Sequence, residues 1–115
     1  MKTFLAIYTG NRESFAAWQA LSETQQRERS ARGMKAWGEW AAKHSEQIVD
    51  QGAPLGKTKR VTAGGTADFR NAMAAYVIVR AETHEAAAQM FASHPHFSFF
   101  PGDGVEIMEC LPLPG

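Results

Sequence analysis

Two histidines near the C-terminal end of the chain, His94 and His96, flank Pro95. A histidine titrates near neutral pH, so one that borders a cleft could act as a general acid or base. The alternative interpretation is structural, with His94 completing the apolar side of a preceding helix and His96 in solvent. We predict no metal site, because side chains on either side of an extended proline diverge and no cysteine or carboxylate stands at chelating spacing beside them.

A second group of side chains comes from three predicted strands and comprises Tyr8, Tyr76, Arg80 and Glu106. An arginine can pair with a carboxylate and a tyrosine can stack on a ring, so this group predicts a site for a small anionic or aromatic molecule. A structural interpretation fits equally well, because interfaces are rich in tyrosine and arginine and Arg80 could pair with Glu106 across the sheet.

Three further features do not predict a cofactor or a reactive site. The segment 52–58 (GAPLGKT) resembles a phosphate-binding loop, but three residues separate its glycines where the loop needs four, and a strand is expected after it instead of a helix. The tryptophans Trp18, Trp37 and Trp40 fit helix packing better than a ligand pocket. Cys110 is the only cysteine, which excludes an internal disulfide and a thiolate zinc cluster. We therefore predict no cofactor.

The length and charge balance indicate one small domain that spans residues 1–115. The chain has 12 basic and 12 acidic side chains, and this neutral balance argues against a dedicated nucleic-acid binder. No segment reaches the roughly 18 apolar residues of a membrane helix, and the apolar run after Met1 is too short for a signal peptide. We expect a cytoplasmic protein that binds neither nucleic acid nor a membrane.

Periodicity and capping signals predict four strands and three helices. The strands are expected at 3–9, 55–62, 74–81 and 105–111, and the helices at 14–21, from the Ser22 cap to Gly52, and from the Thr83 cap to Pro95. In the long helix Ser22 and Gln25 form a capping box, and Gly33 and Gly38 each weaken a helix interior by about 1 kcal/mol, so the helix could bend near them. Its predicted buried stripe is Met34, Trp37, Ala41, Ser45 and Ile48.

The order β-α-β-β-α-β is that of a ferredoxin-like α+β fold, with both helices on one face of an antiparallel four-stranded sheet. Strand alternation then sorts the side chains into two faces. The face beneath the helices is predicted to hold Leu5, Ile7, Val77, Val79, Val105 and Ile107. The open face is predicted to hold Phe4, Ala6, Tyr8, Tyr76, Ile78, Arg80, Glu106, Met108 and Cys110. Because the second set is too apolar for water and too polar for a dry core, we predict a homodimer joined through its sheets around a cleft.

The chain resembles the YCII-related proteins along nearly its whole length. The element order, the opening segment 2–8 (KTFLAIY) and the tryptophan-bearing long helix carry the resemblance. So do 51–56 (QGAPLG) and the run from 93–95 (SHP) to 104–108 (GVEIM). Members of that family adopt the dimeric α+β barrel, in which two ferredoxin-like sheets pack face to face around a cleft. The resemblance implies the same homodimer that the face pattern predicts.

The resemblance implies less about activity. Most members have no established activity, and a few relatives are lyase-like, with a histidine and an aspartate in the cleft. One branch has an Asp-Gly-Pro-Phe signature, which is absent here because 63–66 reads AGGT. The enzyme-like branch has its histidine near the start of the long helix, whereas the nearest one here is His44, well down that helix. Only His94-Pro95 and Glu106 match as positions, and they carry no catalytic assignment.

The sequence leaves three functions open. The first is a homodimer that binds a small metabolite between its sheets, which requires Arg80 and the tyrosines to line a pocket. The alternative is a cofactor-independent lyase, isomerase or oxygenase in which His94 or His96 transfers a proton. The carboxylates that could orient such a histidine are Asp68, Asp103 and Glu106. The third is an assembly protein without a ligand, which predicts a filled and dry interface.

Overall fold

The computed structural model describes residues 1–114 and contains a four-stranded antiparallel sheet and a separate two-stranded hairpin. The strands are β1 (Lys2–Thr9), β2 (Ile48–Pro54), β3 (Thr58–Thr62), β4 (Gly65–Phe69), β5 (Met73–Ala81) and β6 (Gly104–Glu109). The helices are α1 (Arg12–Gln19), α2 (Glu23–Lys43), α3 (His84–Gln89) and α4 (His96–Phe99). The large sheet has the order β2-β5-β1-β6, and β3 pairs with β4 in the hairpin. The architecture is the α+β, ferredoxin-like one that the sequence predicts.

The strand β1 lies inside the sheet because it pairs with β5 on one side and β6 on the other. Phe4 lies opposite both Val79 and Glu109, and Tyr8 lies opposite Val105. Directly opposed residues of neighbouring antiparallel strands point to the same face of a sheet. These pairs therefore determine which side chains share a face.

The second strand of the sheet lies inside a segment that we expected to be helical. Ile48 fits the helical stripe by its spacing, but it is paired with Val79 of β5. Gly52 has a φ of +67°, and a Cβ built on it would lie 1.8 Å from the Tyr76 carbonyl oxygen. The register of β2 against β5 shifts between Asp50 and Ala53, around this glycine. Gly52 thus permits an irregularity in a strand and does not end a helix.

The segment 55–62, which we predicted as the second strand of the sheet, contributes β3 of the hairpin instead. The turn expected at 63–66 is present, but the chain after it pairs back onto β3 as β4. Nearly all hairpin side chains are exposed. The hairpin connects β2 to β5, which are neighbours in the sheet, so it is an elaborated turn between two adjacent strands.

The helix α2 is continuous over its 21 residues and begins at the predicted capping box. The Gln25 backbone N–H donates to Ser22 Oγ at 3.1 Å, and the Ser22 N–H donates to Gln25 Oε1 at 2.9 Å. Neither Gly33 nor Gly38 interrupts the helix. Gly33 is buried, and a Cβ built on it would lie 2.6 Å from the ring of Phe100. The glycine permits close approach of the segment that follows α3.

The buried side of α2 is formed mainly by Trp37, Trp40 and Ala41. Met34, which we assigned to this side, is 64% exposed. Gly33 is also buried on this side, and a hydrophobic pattern does not identify it because it has no side chain. Among residues 1–114, neither α2 nor any other helix is long and apolar enough to cross a membrane.

The hydrophobic core lies between the sheet and the helices. Its buried members are Phe4, Ala6, Tyr8, Trp40, Val77, Val79, Ala81, Ala87 and Phe91. The predicted faces of β5 and β6 are right, but the predicted faces of β1 are wrong: Phe4, Ala6 and Tyr8 are 0% exposed beneath the helices, and Leu5 and Ile7 point to the open face. Both sets of β1 side chains are apolar, so only the register with β5 distinguishes the two faces.

The chain is thin in the direction perpendicular to the sheet. Its principal extents are 52 × 44 × 18 Å, and the shortest of them matches one sheet with one layer of helices. The apolar side chains on the open face are partly or largely exposed: Leu5, Ile7, Tyr76, Ile78 and Met108. One face of the sheet therefore forms the core, and the other remains accessible in the single chain.

The two glycines of α2 provide a matched test of this packing. Gly38→Ala should raise the free energy of unfolding by up to about 1 kcal/mol, because no atom lies within 4 Å of the new Cβ and alanine favours the helix. Gly33→Ala should lower it, because its Cβ would overlap the Phe100 ring and approach Phe99 Cβ within 2.9 Å. Urea denaturation of both variants measures the two effects, and equal stabilisation would contradict the close approach at Gly33.

Candidate functional site

Tyr8, His94 and His96 form a buried hydrogen-bonded cluster between the sheet and α2. Tyr8 comes from β1, His94 follows α3 and His96 begins α4. Tyr8 Oη lies 3.1 Å from His94 Nε2, and the His96 backbone N–H donates to His94 Nδ1 at 3.0 Å. The exposed fractions of the three residues are 0%, 1% and 4%. The structural interpretation of His94 as part of the buried side is confirmed, and the solvent position expected for His96 is wrong.

The hydrogen bonds determine the tautomer of His94. Nδ1 accepts a backbone N–H, so it carries a lone pair, and the single proton of a neutral ring resides on Nε2. The Nε2–H group therefore donates to Tyr8 Oη. This leaves the hydroxyl hydrogen of Tyr8 as the unassigned donor of the cluster. The arrangement can orient that hydroxyl, and both ring nitrogens of His94 are already engaged.

Burial keeps the cluster uncharged. Desolvation, together with the nearby rings of His96 and His44, lowers the pKa of His94 to about 3. Desolvation also lowers the pKa of His96, although its bond to the Thr9 carbonyl and the charge of Asp103 act in the opposite direction. Burial raises the pKa of the Tyr8 hydroxyl well above its ordinary value. His94 is thus neutral throughout the physiological range.

His96 is fixed from two sides. Its Nε2–H donates to the Thr9 carbonyl at 2.8 Å, and its ring lies against Gly102, where a Cβ would come within 2.1 Å of Nε2. Thr9 in turn donates its hydroxyl to Asp103 Oδ1 at 2.7 Å. The end of β1 and the turn before β6 are therefore held together through this histidine. Residues 1–114 contain no group of three or more His, Cys, Asp or Glu side chains arranged to hold a metal ion.

Aromatic rings surround His94. Its ring centroid lies 4.3 Å from that of Trp37, with the planes nearly perpendicular, and 4.5 Å from that of Trp40. The ring of Phe91 is stacked at 6.0 Å. The Trp40 indole N–H donates to the Met90 carbonyl at 2.8 Å, which satisfies its polar atom inside the core. The tryptophans of α2 pack the core, as the sequence favours.

Three of the four predicted ligand-binding residues share the open face of the sheet. Tyr76 and Glu106 lie on either side of Ile7, so they are about 10 Å apart across the sheet. Arg80 lies farther along β5, opposite Thr3, and its Nε donates to the Glu46 carbonyl at 3.1 Å. Arg80 and Glu106 do not form the ion pair of the structural alternative, because their register positions lie at opposite ends of the face.

Tyr8 is the fourth member of that group, and its predicted position beside Tyr76 is wrong. It lies on the helix-covered face, where its hydroxyl meets His94. His94 and His96 also lie on this side, away from the open face. Asp68, Asp103 and Glu106 were the carboxylates considered as partners for these histidines. The charge of Asp103 raises the pKa of His96, whereas Asp68 pairs with Lys59 in the hairpin. The catalytic and ligand-binding roles of these residues stay predictions.

The residues that complete the histidine cluster carry no functional motif in the sequence. Thr9 and Gly102 contact His96 but lie at the end of a strand and inside a Pro-Gly turn, where neither has a functional motif. One signal was available: a tyrosine buried in a core strand needs a polar partner, and the histidine at the end of an apolar helix stripe could supply it. That requirement would also have assigned Tyr8 to the helix side.

No protein-family model matches the chain, and no curated protein matches its sequence. A similar solved structure is that of 5-chloro-2-hydroxyhydroquinone dehydrochlorinase (TftG) from Burkholderia phenoliruptrix AC1100, in a complex with 2,5-dihydroxybenzoquinone. The TM-score is 0.50 and the sequence identity 11%, over 92% of this chain and 90% of that chain. The similarity shows that the two chains share a fold. This shared fold is a ferredoxin-like α+β fold.

Removal of the His94 side chain should destabilise the fold strongly. His94→Ala leaves the Tyr8 hydroxyl and the His96 N–H without partners and opens a cavity among aromatic rings, so the free energy of unfolding should fall by roughly 2–4 kcal/mol. His44→Ala, which removes a less buried histidine beside Trp40, is the control and should have a clearly smaller effect in the same urea titration. Equal losses in the two variants would contradict the structural role of the cluster.

The lowered pKa of His94 also predicts how stability depends on pH. Below the ordinary histidine value of 6.5 the unfolded chain takes up a proton at this residue, and the folded chain does not until about pH 3, so acidification favours unfolding. Between about pH 6.5 and 5 this single group should contribute a slope of up to ~1.4 kcal/mol per pH unit. His94→Gln, which replaces the imidazole with an amide that does not titrate, should have a shallower slope when unfolding is measured at one protein concentration. Identical slopes would show that His94 protonates normally in the folded chain.

Proposed function

We propose that this protein is a YCII-related homodimer, joined through the open faces of its two sheets, that binds a small aromatic or anionic molecule in the cleft between them. The observation that carries the proposal is the open face itself. It presents apolar side chains at its centre and polar ones toward its ends, on a chain only 18 Å thick. A face of this composition is typical of an interface between subunits that also encloses a ligand.

The apolar centre of the open face supports self-association. Leu5 and Ile7 of β1 lie beside Ile78 and Tyr76 of β5 and Met108 of β6, and Met108 is 41% exposed. These neighbours form one continuous apolar surface. Burial of such a surface against a second copy removes it from water without any change in the fold. The neutral net charge of the chain adds no repulsion between copies.

The charges at the two ends of the face also support a symmetric pairing. Arg80 stands at the end of the face near Thr3, and Glu106 stands toward the other end, beside Ile7. When the strands of two copies run in opposite directions, the Arg80 end of one face approaches the Glu106 end of the other. A two-fold axis generates this approach of oppositely charged ends at both ends of the interface.

Two polar side chains on either side of Ile7 support a ligand between the sheets. Tyr76 offers a ring and a hydroxyl, and Glu106 offers a carboxylate on the far side of Ile7. Such a set suits a flat molecule with hydrogen-bonding groups on its rim. TftG, which has a similar fold, has a solved structure in a complex with 2,5-dihydroxybenzoquinone, and that compound is a molecule of this kind. The enzymatic alternative has less support, because His94 and His96 lie beneath the helices with ring nitrogens engaged.

Native mass spectrometry of protein purified without added ligand tests the proposal. The unmodified chain should be a dimer and should carry the extra mass of a small molecule. Ile78→Lys should shift the population to monomer, because a charge would be buried at the centre of the interface. Met34→Lys, which adds the same charge at an exposed site on α2, should leave the dimer intact.

The readouts separate the two parts of the proposal. A monomer from the unmodified chain, or equal dissociation by both lysine variants, would overturn the sheet-to-sheet dimer. A dimer without extra mass would favour the assembly function and contradict the ligand. If a ligand is retained, Glu106→Gln should reduce its occupancy while the dimer persists, and unchanged occupancy would exclude Glu106 from the site.

A further inference from the structure

A broad groove lies between α1 and the β3–β4 hairpin, apart from both the histidine cluster and the open face. One wall consists of residues 10–19, and the other of residues 56–59 and 68–73. Its volume is about 1280 Å³. The walls are joined at the base by a hydrogen bond from the Gly10 N–H to the Ala72 carbonyl, at 3.0 Å. The groove thus brings together two segments that are distant in the sequence.

The groove is strongly positive although the chain as a whole is neutral. Its lining includes four cationic side chains, Arg12, Lys57, Lys59 and Arg70, and one carboxylate, Asp68. Lys59 pairs with Asp68, and the other three cations form no ion pair with any carboxylate among residues 1–114. A concave surface lined by one sign of charge concentrates small ions of the opposite sign.

The groove also contains exposed apolar side chains. Phe15 of α1 is 45% exposed, and Met73 at the start of β5 is 53% exposed. The Phe69 ring points to the opposite face of the hairpin from Lys59 and Asp68, where its centroid lies 5.0 Å from the Arg60 guanidinium. Two large apolar side chains beside three unpaired cations match a ligand that combines an anionic group with an apolar body.

The wall on the hairpin side is ordered by its own hydrogen bonds. Asn71 Oδ1 accepts the Met73 N–H at 2.9 Å, and Asn71 Nδ2 donates to Thr58 Oγ1 at 3.3 Å. On the opposite wall, Asn11 Oδ1 accepts the Ser14 N–H at 2.7 Å and thereby caps α1. Both walls therefore present their side chains from defined backbone, which lowers the entropy lost when a ligand binds.

From these observations we infer that the groove between α1 and the hairpin binds a small organic anion, a carboxylate, sulfonate or phosphate attached to an aromatic body. Arg12, Lys57 and Arg70 contact the anionic group, and Phe15 and Met73 contact the apolar part. A nucleic acid is a poorer match, because the chain has no net positive charge outside this groove to follow a polyanion. The inference does not depend on the sheet-to-sheet dimer.

The fluorescent aromatic sulfonate 8-anilinonaphthalene-1-sulfonate and its uncharged analogue N-phenyl-1-naphthylamine form a matched pair of probes. The sulfonate should bind the full chain at least about tenfold more tightly than the neutral analogue. The double variant Arg12→Gln with Arg70→Gln should weaken sulfonate binding by about tenfold and leave binding of the neutral probe unchanged. The control Arg27→Gln with Arg32→Gln makes the same change in charge on α2 and should alter either affinity by less than about twofold.

Several outcomes would overturn the inference. Equal binding of both probes would indicate apolar adhesion alone, and equal losses in the two double variants would indicate a general charge effect. Loss of sulfonate binding in Ile78→Lys would indicate that the probe binds to the open sheet face, at the proposed dimer interface, and not in the groove. Displacement of the probe by decaglutamate but not by 1-naphthoate would identify an acidic peptide as the ligand.

Amide chemical shifts provide a test that needs no variant. In a titration of the unmodified chain with 1-naphthoate, the largest changes should occur at Gly10, Gly56 and Met73, in the two walls. Changes centred on β1 and β5 would contradict the groove as the binding site. Since this readout maps position and the mass measurement reports subunit number, failure of the groove and failure of the dimer remain distinguishable.

Discussion

The hydroxyl group of a tyrosine buried on the central strand is the constraint around which this fold is organised. A buried hydroxyl without a partner destabilises a protein by a few kcal/mol, on the order of 1–3, so the Tyr8 ring can lie in the core only if a polar group accompanies it. His94 supplies that group, and its second nitrogen is satisfied by the next turn of chain. The segment between α3 and β6 is thereby attached to the sheet through polar contacts inside an otherwise aromatic core.

The two faces of the sheet therefore differ in their polar contacts. Beneath the helices, each histidine of the cluster is held neutral and has a defined partner, so that side is closed and specific in its geometry. The opposite side has aliphatic residues and few polar partners, which suits association through area and shape. The basic groove at the hairpin adds a third environment, where charge is exposed and the walls come from α1 and the inserted strands.

The sequence predicted the elements well where local signals decide them and less well where pairing decides them. The Ser22 capping box, the Thr83 cap and the apolar run of β5 were found because each signal lies within a few residues. Ile48 and the residues of β1 were misassigned because their environment depends on which strand lies opposite. The groove was not anticipated for the same reason, since its walls are joined only when Gly10 meets Ala72. The histidines were recognised as a pair, but their partner on β1 required knowledge of the register.

The position of the hairpin has a consequence for how such a protein can diversify. The hairpin joins two strands that are already neighbours in the sheet, Pro54 lying opposite Ala75, so its length and sequence can change while the pairing of β2 with β5 remains. The entropy of closing a longer connection grows only with the logarithm of its length. The hairpin wall of the groove can therefore change without a change in the core. The other wall, α1, comes directly after the central strand β1 in the chain. Variation of the hairpin alone would change the shape and charge of that wall and leave the core unchanged.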